Sequence, residues 1–165
     1  TYGQDLVITR GSNNYGPRQH PEKLIPRMIS CALAAQPLPV YGNGLQVRDW
    51  IHVDDHAAGL LAAYADGVSG RVYNLGASCE RTNLEIVTAL LDVLGQPHSL
   101  ISHVADRPGH DLRYGVDASR ARNELNWQPQ RDFATAFPET VRQLAAELAA
   151  GYLRKPSLNR RQPVD

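Results

Sequence analysis

The sequence predicts an α/β fold, and three observations carry that prediction. Short apolar runs of strand type, at 5–9, 38–41, 71–75 and 101–104, alternate with stretches whose apolar residues recur at helical spacing. Polar segments rich in Asn, Gly and Pro follow the strands, where α/β proteins place ligands at the carboxyl ends of the sheet. The strands are few and short, so the chain reads as one edge of a parallel sheet plus a small mixed α/β domain.

Each element has its own warrant. Asp5–Thr9 is a short apolar strand, and residues 11–17 are a loop by composition. Residues 21–36 form a helix, with Pro21 in its first turn and Leu24, Ile25, Met28, Ile29, Ala32 and Leu33 on one stripe. Leu38–Tyr41 is extended, Gly42-Asn43-Gly44 turns the chain, and residues 46–53 form a second extended piece. Asp54 is placed to cap a helix running to Tyr64. Arg71–Leu75 is the next strand. Thr82-Asn83-Leu84-Glu85 has capping-box spacing and opens a helix that ends at Gly95. Ile101–Val104 is a strand, and residues 105–118 are irregular. Ser119 caps a short helix to Asn126. A long helix starts near Thr135, with Pro138 in its first turn, and ends by Leu153. The domain reading is one region over 1–153 and a basic, disordered tail over 154–165.

Bulk composition narrows the function. The chain carries 17 basic and 17 acidic residues, so its formal charge is zero. That argues against a general nucleic-acid or membrane-surface binder, and anion binding must then be local. Lys23 and Lys155 are the only lysines, leaving Arg, which suits bidentate phosphate contacts, as the main cation. Cys31 and Cys79 form neither a metal motif nor a disulfide framework, which fits a reduced cytoplasmic setting. No signal peptide is visible, and no apolar run approaches the ~20 residues of a membrane span.

Three segments mix charge, amide, aromatic and Gly/Pro in ways a packed core would not choose. They are Ser12-Asn13-Asn14-Tyr15-Gly16-Pro17, Arg48-Asp49-Trp50-Ile51-His52-Val53-Asp54-Asp55-His56, and Asp106-Arg107-Pro108-Gly109-His110-Asp111. Arg48 stands between an extended run and a helix start, where it can grip a phosphate or make a surface ion pair. The amides of Asn13 and Asn14 suit sugar hydroxyls, or a turn with left-handed backbone. Tyr41 is a stacking face for a base or a core aromatic. His52 and His56 stand four apart, but a helix starting at Asp54 would put them on different faces, so a zinc site is rejected.

In order and spacing these segments resemble the C-terminal half of the nucleoside-diphosphate-sugar 4,6-dehydratases, within the extended short-chain dehydrogenase/reductases. The paired Asn, Arg48-Asp49-Trp50 and Asp106-Arg107-Pro108-Gly109-His110 favour a dehydratase over epimerases and decarboxylases. The resemblance covers Thr1 to Leu148, and His52, Cys79, Leu112 and Pro138 depart from the usual pattern. It implies the C-terminal part of an extended Rossmann-type enzyme that binds a nucleoside-diphosphate sugar such as dTDP-glucose. By that resemblance Arg48, Arg107 and His110 hold the diphosphate, on a loop built by Asp106, Pro108 and Gly109. Lys23, Leu24, Pro39, Val40 and Tyr41 frame the nucleotide, Asn13 and Asn83 touch substrate, and Asn14 lies near the nicotinamide of NAD.

The family's reaction is NAD-dependent oxidation at carbon 4, loss of water across carbons 5 and 6, and return of hydride to carbon 6. It needs a Tyr with a Lys four residues later, and none of the seven tyrosines has one. No Gly-rich dinucleotide motif follows a strand either. The chain alone is therefore expected to be inactive and not to bind NAD. Its partners are expected to be a nucleotide sugar and either another copy or an N-terminal partner chain, because strand 5–9 would leave an open edge. The alternative is a non-catalytic nucleotide-sugar-binding or interaction module derived from a truncated dehydratase or epimerase gene.

Overall fold

A computed structural model describes residues 2–151 of the chain. Strand β1 (Ile8–Gly11) is followed by β2 (Asn13–Tyr15), α1 (Leu24–Leu33), β3 (Leu38–Tyr41), β4 (Val47–His52) and α2 (Val53–Asp66). Then come β5 (Val72–Leu75), β6 (Glu80–Thr82), α3 (Asn83–Leu94), β7 (Ile101–Val104), β8 (Arg113–Tyr114), α4 (Ser119–Leu125) and α5 (Phe133–Ala149). The class is α/β, as the alternation of periods predicts.

Strand β4 organises the molecule. It pairs in parallel with β2, Asn13 opposite Trp50, and with β8, and antiparallel with β6. β1 pairs in parallel with β5, and β3 with β7. Side chains alternate across a strand, so neighbours on β4 enter different cores. Trp50 packs with Tyr15, Ile29, Leu90 and Phe137 among α1, α3 and α5. Ile51 packs with Tyr73, Leu75, Ala121 and Trp127.

The capping box at Thr82 and Glu85 forms as read, and Gly95 closes α3 in the left-handed conformation. Elsewhere pairing partners and caps moved the boundaries. The first strand lies at 8–11 rather than 5–9, because its ladder with β5 runs from Ile8 opposite Val72 to Gly11 opposite Leu75. The expected loop 11–17 contains β2, since parallel pairing to β4 recruits polar residues that no apolar pattern marks. Helix α1 begins at Leu24, which puts the N–H-less Pro26 in the first turn. The cap of α2 is His52, whose Nδ1 accepts from the Asp54 N–H at 3.2 Å, so Asp54 lies inside the first turn. Asp117 accepts from the Ser119 N–H, making Ser119 the first helical residue of α4 instead of its cap. Asp132 caps α5, which starts at Phe133 and leaves Pro138 in the second turn. The expected tail, 154–165, lies outside the described residues.

Candidate functional site

Arg48 is 9% exposed on β4. Its Nη1 donates to the carbonyls of Val47 (2.7 Å) and Asp111 (3.0 Å), and it has no carboxylate partner among the described residues. A buried guanidinium without a counter-ion is costly unless an anion completes it. It lies in a cleft of about 380 Å³. Four lining residues are cationic, Lys23, Arg27, Arg48 and Arg107, against the single carboxylate of Glu22.

The start of α1 forms one wall. Its N-cap, Lys23, makes no side-chain cap and no acid occupies the first turn, so that positive helix end is unneutralised. Pro39, Val40 and Tyr41 from β3 form another wall, with Tyr41 43% exposed. Asn13 of β2 and Asn83 at the start of α3 add two amides.

The loop after β7 closes the site through a relay of hydrogen bonds. Asp106 Oδ1 lies 2.7 Å from His110 Nδ1 and accepts from the Arg107 N–H, while its Oδ2 accepts from Gln46 Nε2 at 2.9 Å. The His110 hydrogen bond, then the Arg107 N–H, holds the Asp106 carboxyl below its usual range. A carboxylate can only accept, so His110 Nδ1 carries a proton and the ring's other nitrogen is free for the cleft. The Tyr41 ring meets the His110 ring edge-on at 6.2 Å.

Ten of the residues singled out from sequence thus line one cleft: Asn13, Lys23, Leu24, Pro39, Val40, Tyr41, Arg48, Asn83, Arg107 and His110. Asp106, Pro108 and Gly109 do not line it; they belong to the loop that carries Arg107 and His110. Sequence reasoning missed Glu22, Arg27, Met28, Trp50 and Val87. Periodicity held the signal for four of these. Arg27, Met28 and Val87 stand four residues after Lys23, Leu24 and Asn83 on helices, and Trp50 two after Arg48 on a strand.

Asn14 stands apart. Its Nδ2 donates to the Ser12 carbonyl at 3.1 Å and its Oδ1 lies 2.8 Å from His56 Nδ1. A Cβ on Gly11 would meet the His56 ring at 2.8 Å, so that close approach is filled by protein. Asn14 therefore has its amide hydrogen-bonded inside the fold. His52 and His56 bond to Asp54 N–H and Asn14 respectively, so they do not converge on a common point.

This α/β fold is the one that solved Rossmann-type sugar-nucleotide dehydratases and epimerases share over about half of their length. Residues 1–140 match the family model described as GDP-mannose 4,6 dehydratase, and the chain belongs to that family. It is 50% identical over 141 residues to the dTDP-glucose 4,6-dehydratase of Actinoplanes sp., covering 86% of this chain and 44% of that protein. It is 45% identical over 152 residues to the dTDP-glucose 4,6-dehydratase of Escherichia coli, covering 86% and 42%. Among solved structures, DesIV, a dTDP-glucose 4,6-dehydratase from Streptomyces venezuelae with NAD and TYD bound, superposes with a TM-score of 0.88 at 45% identity. That match covers 93% of this chain and 47% of DesIV. UDP-glucuronic acid 4-epimerase from Bacillus cereus, in complex with UDP-glucuronic acid and NAD, superposes at 0.80 with 27% identity, covering 86% and 46%. The chain spans less than half the length of the curated relatives it matches.

Proposed function

We propose that this chain is the substrate-binding portion of a sugar-nucleotide 4,6-dehydratase and takes a nucleoside-diphosphate sugar, dTDP-glucose or a relative, in the Arg48 cleft. The observation that carries this reading is Arg48 itself, a buried cation that has carbonyl partners and no carboxylate. A diphosphate supplies the missing charge. Arg107 and His110 close on the same group from the loop, with Asp106, Pro108 and Gly109 shaping that loop. Lys23, Leu24, Pro39, Val40 and Tyr41 frame the nucleoside, and Tyr41 offers a face for the base. Asn13 and Asn83 meet sugar or nucleotide hydroxyls. Asn14 holds the floor next to the place where a nicotinamide would lie in an intact family enzyme; its own amide stays bonded to Ser12 and His56.

Association is part of the same reading. Leu60, Leu61 and Tyr64 of α2 and Leu6 and Ile8 at β1 are exposed, and β1 has one partner strand among the described residues. That surface is covered by another copy of the chain or by a chain carrying the rest of a Rossmann sheet.

Calorimetric titration of the chain with dTDP tests the site. Wild type binds, and Arg48→Ala weakens binding by about 1.5–3 kcal/mol, the range of a charged hydrogen bond. Absence of binding by well-folded wild type would overturn the proposal.

A further inference from the structure

Trp50 also lines a second cleft, of about 550 Å³, which the nucleotide-sugar reading leaves unused. Its deep end is made of three almost fully buried side chains: Tyr15 at 2% exposure, Trp50 at 3% and His52 at 6%. Each brings a hydrogen-bond donor with no acceptor among the described residues. Trp50 Nε1 is buried and unpartnered. The Tyr15 hydroxyl makes no hydrogen bond among the described residues. His52 Nδ1 accepts from the Asp54 N–H, so in the neutral ring the proton is on Nε2, which has no partner there either. A buried donor left unmade costs about 1–3 kcal/mol, and Trp50 Nε1 is such a donor, so the floor calls for an acceptor.

The mouth has the same polarity. Arg122 Nη2 donates to the Ser78 hydroxyl at 3.1 Å, and Arg81 Nη1 to the carbonyl of Glu80 at 2.9 Å. Neither has a carboxylate partner among the described residues, and the Arg81 guanidinium is held over the Phe133 ring at 5.6 Å. Arg131, also at the rim, is paired with Asp54, and Asp132 uses its carboxylate to cap α5. Three arginines, Arg81, Arg122 and Arg131, thus stand against the single carboxylate of Asp132 in the lining, and that carboxylate and Arg131 are already partnered while Arg81 and Arg122 have no carboxylate partner among the described residues.

We propose that this cleft is a second anion site, separate from the Arg48 cleft, which takes the phosphate group of a small molecule between Arg81 and Arg122. The bound oxygens accept from those two guanidinium groups, and the ligand brings acceptors to the Trp50, Tyr15 and His52 donors beneath.

The indole N–H resonances report it directly, because the chain has two tryptophans and Trp127 Nε1 is already donating to the Asp55 carbonyl. The expected result is that inorganic phosphate shifts the Trp50 indole signal saturably at millimolar concentration. Arg81 and Arg122 are exposed, so the R81A/R122A chain folds, and in it the shift is lost. R107A, an exposed change in the first cleft, retains the shift. A shift that survives R81A/R122A, a shift lost in R107A, or no saturable shift would each overturn the proposal.

Discussion

His110 Nδ1 and Asp106 Oδ1 lie 2.7 Å apart, and the other oxygen of that carboxylate is held by Gln46, which is 2% exposed. The loop's histidine is therefore aimed by a buried amide that does not line the cleft. The Gln46 main-chain carbonyl also accepts from the Asn83 N–H, so this one residue ties two walls together. Gln46→Glu keeps the shape, removes the donor and sets two carboxylates face to face. The expected outcome is dTDP affinity reduced by about 1 kcal/mol or more, with a lowered melting temperature because the new carboxylate is buried against Asp106. Unchanged affinity in a chain whose wild type binds dTDP would rule out the aiming role.

Stability falls on the acid side through His52 and His56. Burial holds both imidazoles below the ordinary histidine value of about 6.5. Above that pH neither the folded nor the unfolded state binds the protons, and stability is full. As pH falls through about 6.5 the unfolded chain takes up protons the folded chain refuses, so stability drops until the folded values are reached. Melting temperatures across about pH 7.5 to 5.5 check this. His52→Asn, which keeps a good helix cap, should flatten the slope; an equally steep slope would exclude His52 as a source.

Asp55 joins α2 to the turn before α5. It is 6% exposed, and its two carboxylate oxygens accept from the Gln130 and Arg131 N–H groups at 2.9 and 3.0 Å. Asp55→Ala removes two charged hydrogen bonds and should cost about 2–4 kcal/mol in denaturant unfolding. A loss below about 0.5 kcal/mol, as for an ordinary surface change, would count against that account.

The α3 capping box gives a smaller and cleaner number. Thr82 Oγ1 accepts from the Glu85 N–H at 3.1 Å, and Glu85 accepts from the Thr82 N–H. Thr82→Ala should cost about 1 kcal/mol, and Thr82→Ser close to nothing. Equal losses for both would point to the methyl group instead of the cap.

Association should depend on concentration. Light scattering of the chain should show species larger than a monomer, and Leu61→Lys with Tyr64→Lys, both on exposed positions of α2, should reduce them. A strictly monomeric wild type at high concentration would sink the association half of the proposed function.

Much of this molecule was legible in the chain because its signals are local. Periodicity marked α1, α3 and α5, the spacing of Thr82 and Glu85 marked a cap, three polar motifs marked Asn13, Arg48, Arg107 and His110, and the family resemblance added Lys23, Leu24, Pro39, Val40, Tyr41 and Asn83 in the same cleft. Boundaries were read less well where a remote partner sets them. Asn13–Tyr15 is a strand because β4 lies beside it, and nothing in its polar sequence says so. His52 caps α2 because its imidazole accepts a main-chain N–H, a role that composition assigns to the Asp two residues on.

By itself, then, the sequence determined the class of fold, the helices and the residue types of the three polar motifs, since propensity, periodicity and capping act over a few residues. The tertiary structure alone decided which way those residues face. It stripped Arg48 of a carboxylate partner, committed the Asn14 amide to His56, turned Gln46 onto Asp106, and gathered Tyr15, Trp50 and His52 beneath a second pair of arginines. Burial and pairing of polar groups are relations between distant segments, and they exist once β4 has brought those segments together.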